Sequence, residues 1–582
     1  MKHKFALLAL AGACLCSAAC ASSADAATAD NGKQAPLNPV IWADVPDVST
    51  LRVGDTYYMT STTMHMKPGV PVMMSKDLVN WEIVSYCYDD LLDDDLNQNQ
   101  KDRLTLSNGQ NEYSNGTWAS CIRYVDGTFY VSSFSNTTGR TYIWTSKDPT
   151  KGDWKRISTL RQFHDHSLVL DKDGRNYIIF DGGDRKIVEL TSDLKSVKRD
   201  SDVSPNGQPK ILVSRADTNR DTGLNGNYLL EGTQMHIIDG KYYLINIGWP
   251  SGQCRTVFCA KADNIMGPYE TKIIYQCEGI AQGGIFDTPD GKWYALLFGD
   301  RGGVGRIPFL VPVTWKDGWP MIGTDGDGKT LPPLPINVKH PAIPKCVASD
   351  EFNRKSGERA LPLVWQWNHI PDNSLWSLKD RSGWIRFKTG SVVNSLEKAK
   401  NTLTQRVFGP ASTAEIKIDV KNMKNGDYAG LSSFQSQWGF VGVKMADGKK
   451  SIVMCTPAGG GGRGGRGGGQ PQQQGPAMNE VASVPLDGDI AYLRVEADVS
   501  PIDQPAEAVA KLNARKKDQS FFYYSNDGKT WTRIGSAINM PYSMPHFMGY
   551  RFGIFNFATK EAGGYVDVDY FRLGTELSPE SK

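Results

Sequence analysis

Gly54-Asp55-Thr56-Tyr57-Tyr58, Asp126-Gly127-Thr128-Phe129-Tyr130, Asp173-Gly174-Arg175-Asn176-Tyr177, Asp239-Gly240-Lys241-Tyr242-Tyr243 and Asp290-Gly291-Lys292-Trp293-Tyr294 are five copies of one pattern: a dipeptide of Asp and Gly running into an aromatic strand. Asp-Gly adopts the positive φ angles that a tight hairpin turn needs, and alternating β-branched and aromatic residues flank it on both sides. Several copies are followed by a second hairpin-like stretch, as in Val72-Met73-Met74-Ser75-Lys76-Asp77 and Ile143-Trp144-Thr145-Ser146-Lys147-Asp148. Units spaced roughly 45 to 70 residues apart suit blades of about four strands. The pattern predicts an all-β fold that begins with a five-bladed β-propeller over residues 36–335.

Outward from the repeats, the chain of 582 residues is too long for one ordinary core. Lys plus Arg number 65 against 63 Asp plus Glu, so no global field draws the protein to nucleic acid or anionic lipid. Gly is frequent at 59 residues, and 15 Trp and 23 Tyr leave rings to spare for a ligand. Residues 1–26 read as an export signal: Met1-Lys2-His3-Lys4 is basic, Phe5 to Ala19 is apolar and small, and Ala24-Asp25-Ala26 offers a cleavage site. This places the protein in the periplasm or outside the cell, with lipidation of Cys20 as an alternative to simple cleavage. No stretch is long enough for a membrane span. Seven cysteines outside the leader are scattered without a C-x-x-C pair, against both a zinc site and a disulfide framework.

Pro-rich residues 336–347 read as a semi-rigid linker, and residues 348–576 as a β-sandwich of the concanavalin-like, jelly-roll kind. Ala414-Glu415-Ile416-Lys417-Ile418-Asp419-Val420 and Tyr565-Val566-Asp567-Val568-Asp569-Tyr570 alternate at period two. Within that domain residues 458–476, rich in Gly and Gln, read as a flexible loop rather than a nucleic-acid arm, since they carry two arginines and follow an export signal.

Counting back twelve residues from the last aromatic of a repeat reaches Trp118, Asp165, Glu231 and Gln282; a count of eleven from Tyr58 reaches Asp47. Equal offsets in equivalent blades mean equivalent places, so these side chains are expected to converge on one mouth of the central channel. A single acid near a turn is usually just solvated. Three acids at matching offsets repel and raise one another's pKa values, a cost that points to use. Such acids beside a stacking ring suit cleavage of a glycosidic bond.

These residues resemble glycoside hydrolase family 43, typified by β-xylosidases and α-L-arabinofuranosidases. The likeness is carried by Asn38-Pro39-Val40 with Pro46-Asp47-Val48-Ser49, by Trp118-Ala119-Ser120, Phe163-His164-Asp165-His166, Glu231-Gly232-Thr233 and Gly305-Arg306. It continues through Trp365-Gln366-Trp367-Asn368-His369 and Gly426-Asp427-Tyr428-Ala429-Gly430-Leu431. The resemblance implies an inverting exo-glycosidase that releases terminal xylose or arabinofuranose from plant oligosaccharides or polysaccharides. It implies Asp47 as general base, Glu231 as general acid and Asp165 as the acid that orients Glu231 and tunes its pKa. It also implies Arg306 and Trp118 as sugar contacts, with Trp249 as a further stacking ring and Met64 and His65 in the pocket wall. Where relatives place a histidine near the axis, sometimes with calcium, this chain has Gln282; a sugar contact is expected there, no cofactor is required, and the case for calcium is weakened. His164 and His166 are expected to point away from Asp165, as neighbours on a strand do, and to bind no metal. The alternative is a glycan-binding propeller without turnover, which would gain little from a buried protonated Glu.

Overall fold

The computed structural model describes residues 38–458, 477–499, 518–543 and 545–581. The predicted leader with Cys20, and all but the first residue of the Gly-rich loop 458–476, lie outside the described residues. Five four-stranded sheets follow one another along the chain as the blades of a propeller. Their innermost strands are Ser49–Val53, Thr117–Val125, Ser167–Leu170, Leu230–Ile238 and Ala281–Asp287, each packed against the next until the fifth meets the first.

The repeated dipeptides sit where the turn chemistry puts them. In blades two and four both turn residues take positive φ, Asp126 at 47° with Gly127 at 71° and Asp239 at 50° with Gly240 at 79°. Val125 then pairs with Thr128 and Ile238 with Lys241, as two-residue hairpins require. Ring closure uses the segment before blade one: Val40 and Val45 donate backbone N–H groups to Pro308 and Arg306 of blade five, 2.9 Å each. That segment covers an edge the third strand of blade five would otherwise leave open.

Two eight-stranded sheets form the second domain, in which Arg551–Ala558 pairs antiparallel with Asp427–Phe434, and Ala411–Asp419 with Ile490–Asp498. One of these sheets begins inside the propeller. Met66–Lys67, from a blade-one loop, pairs with Trp367 and Asn368. The sheet thus crosses the domain boundary that the sequence draws. An apolar cluster is likewise continuous, running from Ile245, Leu297 and Val311 of blades four and five to Ile416, Leu431 and Phe552 of the sandwich. The Pro-rich passage is packed, with Leu334, Cys346 and Val347 buried against Val40 and Phe408. Cys87, Cys121, Cys259, Cys277, Cys346 and Cys455 are buried, and Cys254 is partly buried. No helix among the described residues is long and apolar enough to cross a membrane.

Candidate active site

At the channel mouth each blade departs from regular strand geometry. Asp47 and Asp165 precede their inner strands with φ of 52° and 43°, and Gln282 has φ 57°. The inner strands of blades two, four and five shift register at Thr117/Ser120, Glu231/Gln234 and Ala281/Gly283. Such bulges break the alternation of a strand and re-aim a side chain, here toward the axis rather than into the walls between blades. Left-handed backbone is tolerable for Asp and more costly for Gln, and strain of this kind persists where the surroundings hold it.

Asp47 is buried. Thr62 Oγ1 donates to its Oδ2 at 2.5 Å, and Arg306 Nη1 reaches both carboxylate oxygens at 2.9 and 3.0 Å. Burial raises its pKa above the ordinary value; the Arg306 charge opposes this, and the negative charge of Asp165 adds to it. Asp165 Oδ2 accepts from the backbone N–H of Gly232 at 3.0 Å, which ties it to the residue beside Glu231. Carboxylate oxygens of Asp165 and Glu231 and a ring nitrogen of His164 lie within 4.8 Å of one another. The Glu231 pKa is raised by burial first and by the charge of Asp165 second. Trp249, exposed at 45%, donates its indole N–H to Glu231 Oε1 at 3.3 Å.

Gln282 lies against the same turn: a Cβ on Gly232, whose φ is 66°, would stand 2.7 Å from Gln282 Cγ. Trp118 is half-buried, with its ring 6.1 Å from that of His164. Met64 and His65 follow Thr62, which bonds Asp47, and Trp118 and Phe547 pack against the cluster that holds Met64. Met64 packs in an apolar cluster shared with sandwich residues Phe434 and Trp438. His65 is wholly buried among Tyr113, His369 and His546, at 4.7, 5.2 and 5.3 Å between ring centres. Burial lowers its pKa and keeps it neutral. Their place is the seam between domains, because the loop that carries them joins the sandwich sheet.

One expectation is corrected. His164 does not point away from Asp165; its Nε2 is 4.0 Å from Asp165 Oδ1. Residues 164–166 form a turn ahead of the strand that begins at Ser167, so strand alternation does not apply to them. His166 does turn into the wall, with Nδ1 against Phe163 O at 3.1 Å and Nε2 against Ser132 Oγ at 2.8 Å. A histidine nitrogen with two carboxylates, one of them already accepting from Gly232, is a poor match to calcium's shell of about six to eight oxygens. No calcium is assigned to this cluster.

Three further residues belong to the site. Arg185, fully buried, donates to Thr233 Oγ1 at 2.8 Å and to Leu230 O. Burial pushes its own pKa down to about 10 against the pull of Asp165 and Glu231. It sets a fixed cation beneath the acids. Arg255 stands beside Trp249. Phe547 comes from the sandwich, its ring 5.4 Å from Trp118 and 4.5 Å from the Arg306 guanidinium. Burial within a strand is not readable from one isolated arginine, and Phe547 lies outside every blade repeat.

The arrangement offers one carboxyl in hydrogen-bond contact with a cation, another that accepts from a neutral indole beside a like charge, and aromatic walls. Comparison with known proteins agrees with that chemistry. The profile of Glycosyl hydrolases family 43 matches residues 36–320, and that of the beta xylosidase C-terminal concanavalin A-like domain matches 349–573. A beta-xylosidase of Formosa agariphila is 28% identical over 93% of this chain and 90% of its own. A putative beta-xylosidase of Xylanibacter ruminicola is 31% identical over 66% of this chain and 68% of its own. Among solved structures, a bifunctional GH43-CE protein of Bacteroides eggerthii superposes with a TM-score of 0.82 at 48% identity, covering 94% of this chain. This chain spans 64% of the length of that bifunctional protein. Five blades with three acids at one mouth, a sandwich docked on them and matches along both domains make this chain a glycosidase belonging to glycosyl hydrolase family 43.

Proposed function

We propose that the protein is an inverting, exo-acting pentosidase, releasing terminal β-D-xylose or α-L-arabinofuranose from hemicellulose oligosaccharides. The observation that supports the reading is the clustering of acids about Asp165: it bonds Gly232 N–H, lies within 4.8 Å of Glu231, and its charge is felt at both Glu231 and Asp47. Ionised Asp47 takes a proton from a water as the water oxygen attacks the anomeric carbon. Protonated Glu231 gives its proton to the glycosidic oxygen as the bond from carbon to that oxygen breaks. Exchange with solvent then resets both groups. Burial, and after it the like charge of Asp165, keeps Glu231 protonated, and Arg306 keeps Asp47 ionised against the cost of its burial. Trp118, Trp249 and Phe547 supply apolar faces for the sugar, and Gln282 a hydrogen bond. Phe547 closes one side of the mouth, which favours a chain end over the middle of a polymer.

Two relatives point the same way by name: the Formosa agariphila protein is a beta-xylosidase, and one from Bacteroides ovatus is a non-reducing end alpha-L-arabinofuranosidase. The leader at residues 1–26 favours work outside the cytoplasm. The test is proton NMR of the first-formed sugar from xylo- and arabino-oligosaccharides. A single pentose with inverted anomeric configuration is expected. A retained anomer rejects the water-and-two-carboxylates scheme, and release of no pentose rejects the substrate class.

A further inference from the structure

Arg255 is buried, at 6% exposure, just before the third strand of blade four, Thr256–Ala262. Its Nη2 donates to Asp300 Oδ2 at 2.5 Å, and this ion pair fixes the plane of the guanidinium. Its Nε and Nη1 are buried with no hydrogen-bond partner. Nearly every buried N–H in a folded protein finds an acceptor, so two on one side chain call for an explanation. The surroundings supply it. The guanidinium lies 4.2 Å from the ring centre of Trp249, whose indole N–H bonds Glu231. It lies 5.1 Å from the ring of Phe298, and Arg306, the partner of Asp47, is 5.3 Å from that same ring. The two arginines thus flank Phe298, one next to the proposed base and the other next to the proposed acid. The positive charge of Arg255 is felt at both carboxylates.

We propose that Arg255 is a substrate-contacting residue whose Nε and Nη1 donate to hydroxyl oxygens of the pentose at the cleavage point. The assignment rests on the pentosidase reading of this pocket. The ligand chemistry follows from the site. Free guanidinium N–H groups need acceptors, and three carboxylates close by repel an acidic group, so the acceptors belong to a neutral polyol. Asp300 then acts through Arg255 as a positioning residue, holding the donor fork in one orientation.

The test is a cycle of enzyme variant against deoxy substrate. The substrate is whichever p-nitrophenyl pentoside the native enzyme turns over, with its monodeoxy analogues, one for each ring hydroxyl. Turnover by the native enzyme secures the pentosidase reading separately. Arg255→Met keeps the length of the side chain and removes every donor; kcat/KM is expected to fall roughly 10- to 100-fold. Removal of one particular hydroxyl should cost the native enzyme about 10-fold or more and the variant less than about 3-fold, because the bond is already gone. Equal losses in both enzymes for every deoxy substrate overturn the proposal, as does an unchanged kcat/KM in Arg255→Met. Should Arg255→Met fail to fold, the same cycle run on Arg255→Lys, which keeps the charge and loses the fork, decides between the same two results.

Discussion

Burial and the charge of Asp165 raise the pKa values of both Asp47 and Glu231, and what opposes that rise fits their proposed work. Asp47 has a guanidinium in hydrogen-bond contact, whereas Glu231 has an indole N–H and a neighbouring carboxylate. A group beside a cation is the better base, and one beside an anion the better acid. Glu231→Gln is accordingly expected to lower kcat by about 10²- to 10⁴-fold on oligosaccharides and far less on aryl glycosides whose leaving group needs no proton. Equal losses, measured side by side, count against the acid role. Asp165→Asn removes a charge that raises both neighbours, so both pKa values fall. The base must be ionised, so its limb of the pH–rate profile, where activity dies as pH drops, moves to lower pH. The acid must be protonated, so its limb, where activity dies as pH climbs, moves to lower pH as well. A profile of kcat/KM against pH in which the two limbs move in opposite directions contradicts this electrostatic arrangement.

At the scale of the strand, the bulge at Glu231/Gln234 delivers the acid, and Gly232 is its hinge. Gly232→Ala combines strain at φ 66° with a Cβ 2.7 Å from Gln282 Cγ, while Gly54→Ala, at φ 61° with nothing within 4 Å, suffers the strain alone. Both are expected to lose about 1 kcal/mol or more of stability. Only Gly232→Ala should also lose activity, about 10-fold or more, since small misplacement of a reacting group is costly. Thermal melting and kcat on the pair separate the two effects. The same bulges explain what could be read in advance. Counting from the turn lands on the second residue of the inner strand in both blades two and four because both strands have nine residues, Thr117–Val125 and Leu230–Ile238, and each shifts register within its first five. Local turn chemistry and equal lengths are properties of sequence. His164 escapes strand alternation because it lies in a turn ahead of Ser167. Arg185 and Arg255 carry no local signal, because whether an arginine is buried depends on strands brought from far along the chain. Met66–Lys67 carries no mark of joining a sheet whose other strands lie between Gln366 and Ala558, about three hundred to five hundred residues away in sequence.

For the whole molecule, the question is whether the sandwich merely rides on the propeller or completes its site. Backbone bonds knit the two together: Gly409 N–H to Trp42 O at 2.8 Å and Tyr550 N–H to Gly303 O at 2.8 Å, with Arg406 Nε donating to Asp44 O at 2.8 Å. Gly305 and Gly549 let the backbones meet, since a Cβ on Gly305 would stand 2.8 Å from Gly549 Cα. Beside that contact Phe547, at φ 56°, turns its half-buried ring toward Trp118 and Arg306. Its backbone N–H bonds Ser543 O at 2.9 Å, so the loop's shape does not depend on the ring. Phe547→Ala should therefore leave the fold intact while removing apolar contact worth about 1.5–3 kcal/mol to whatever lies against it. If that is the terminal pentose, kcat/KM on a short aryl pentoside falls about 10- to 100-fold, mostly through KM, with little change in melting temperature. A variant that melts much earlier yet keeps its KM would mean that the ring only cements the seam. Unchanged melting together with unchanged KM would mean that the sandwich stops short of the substrate, and the exo preference would then have to come from the propeller loops alone.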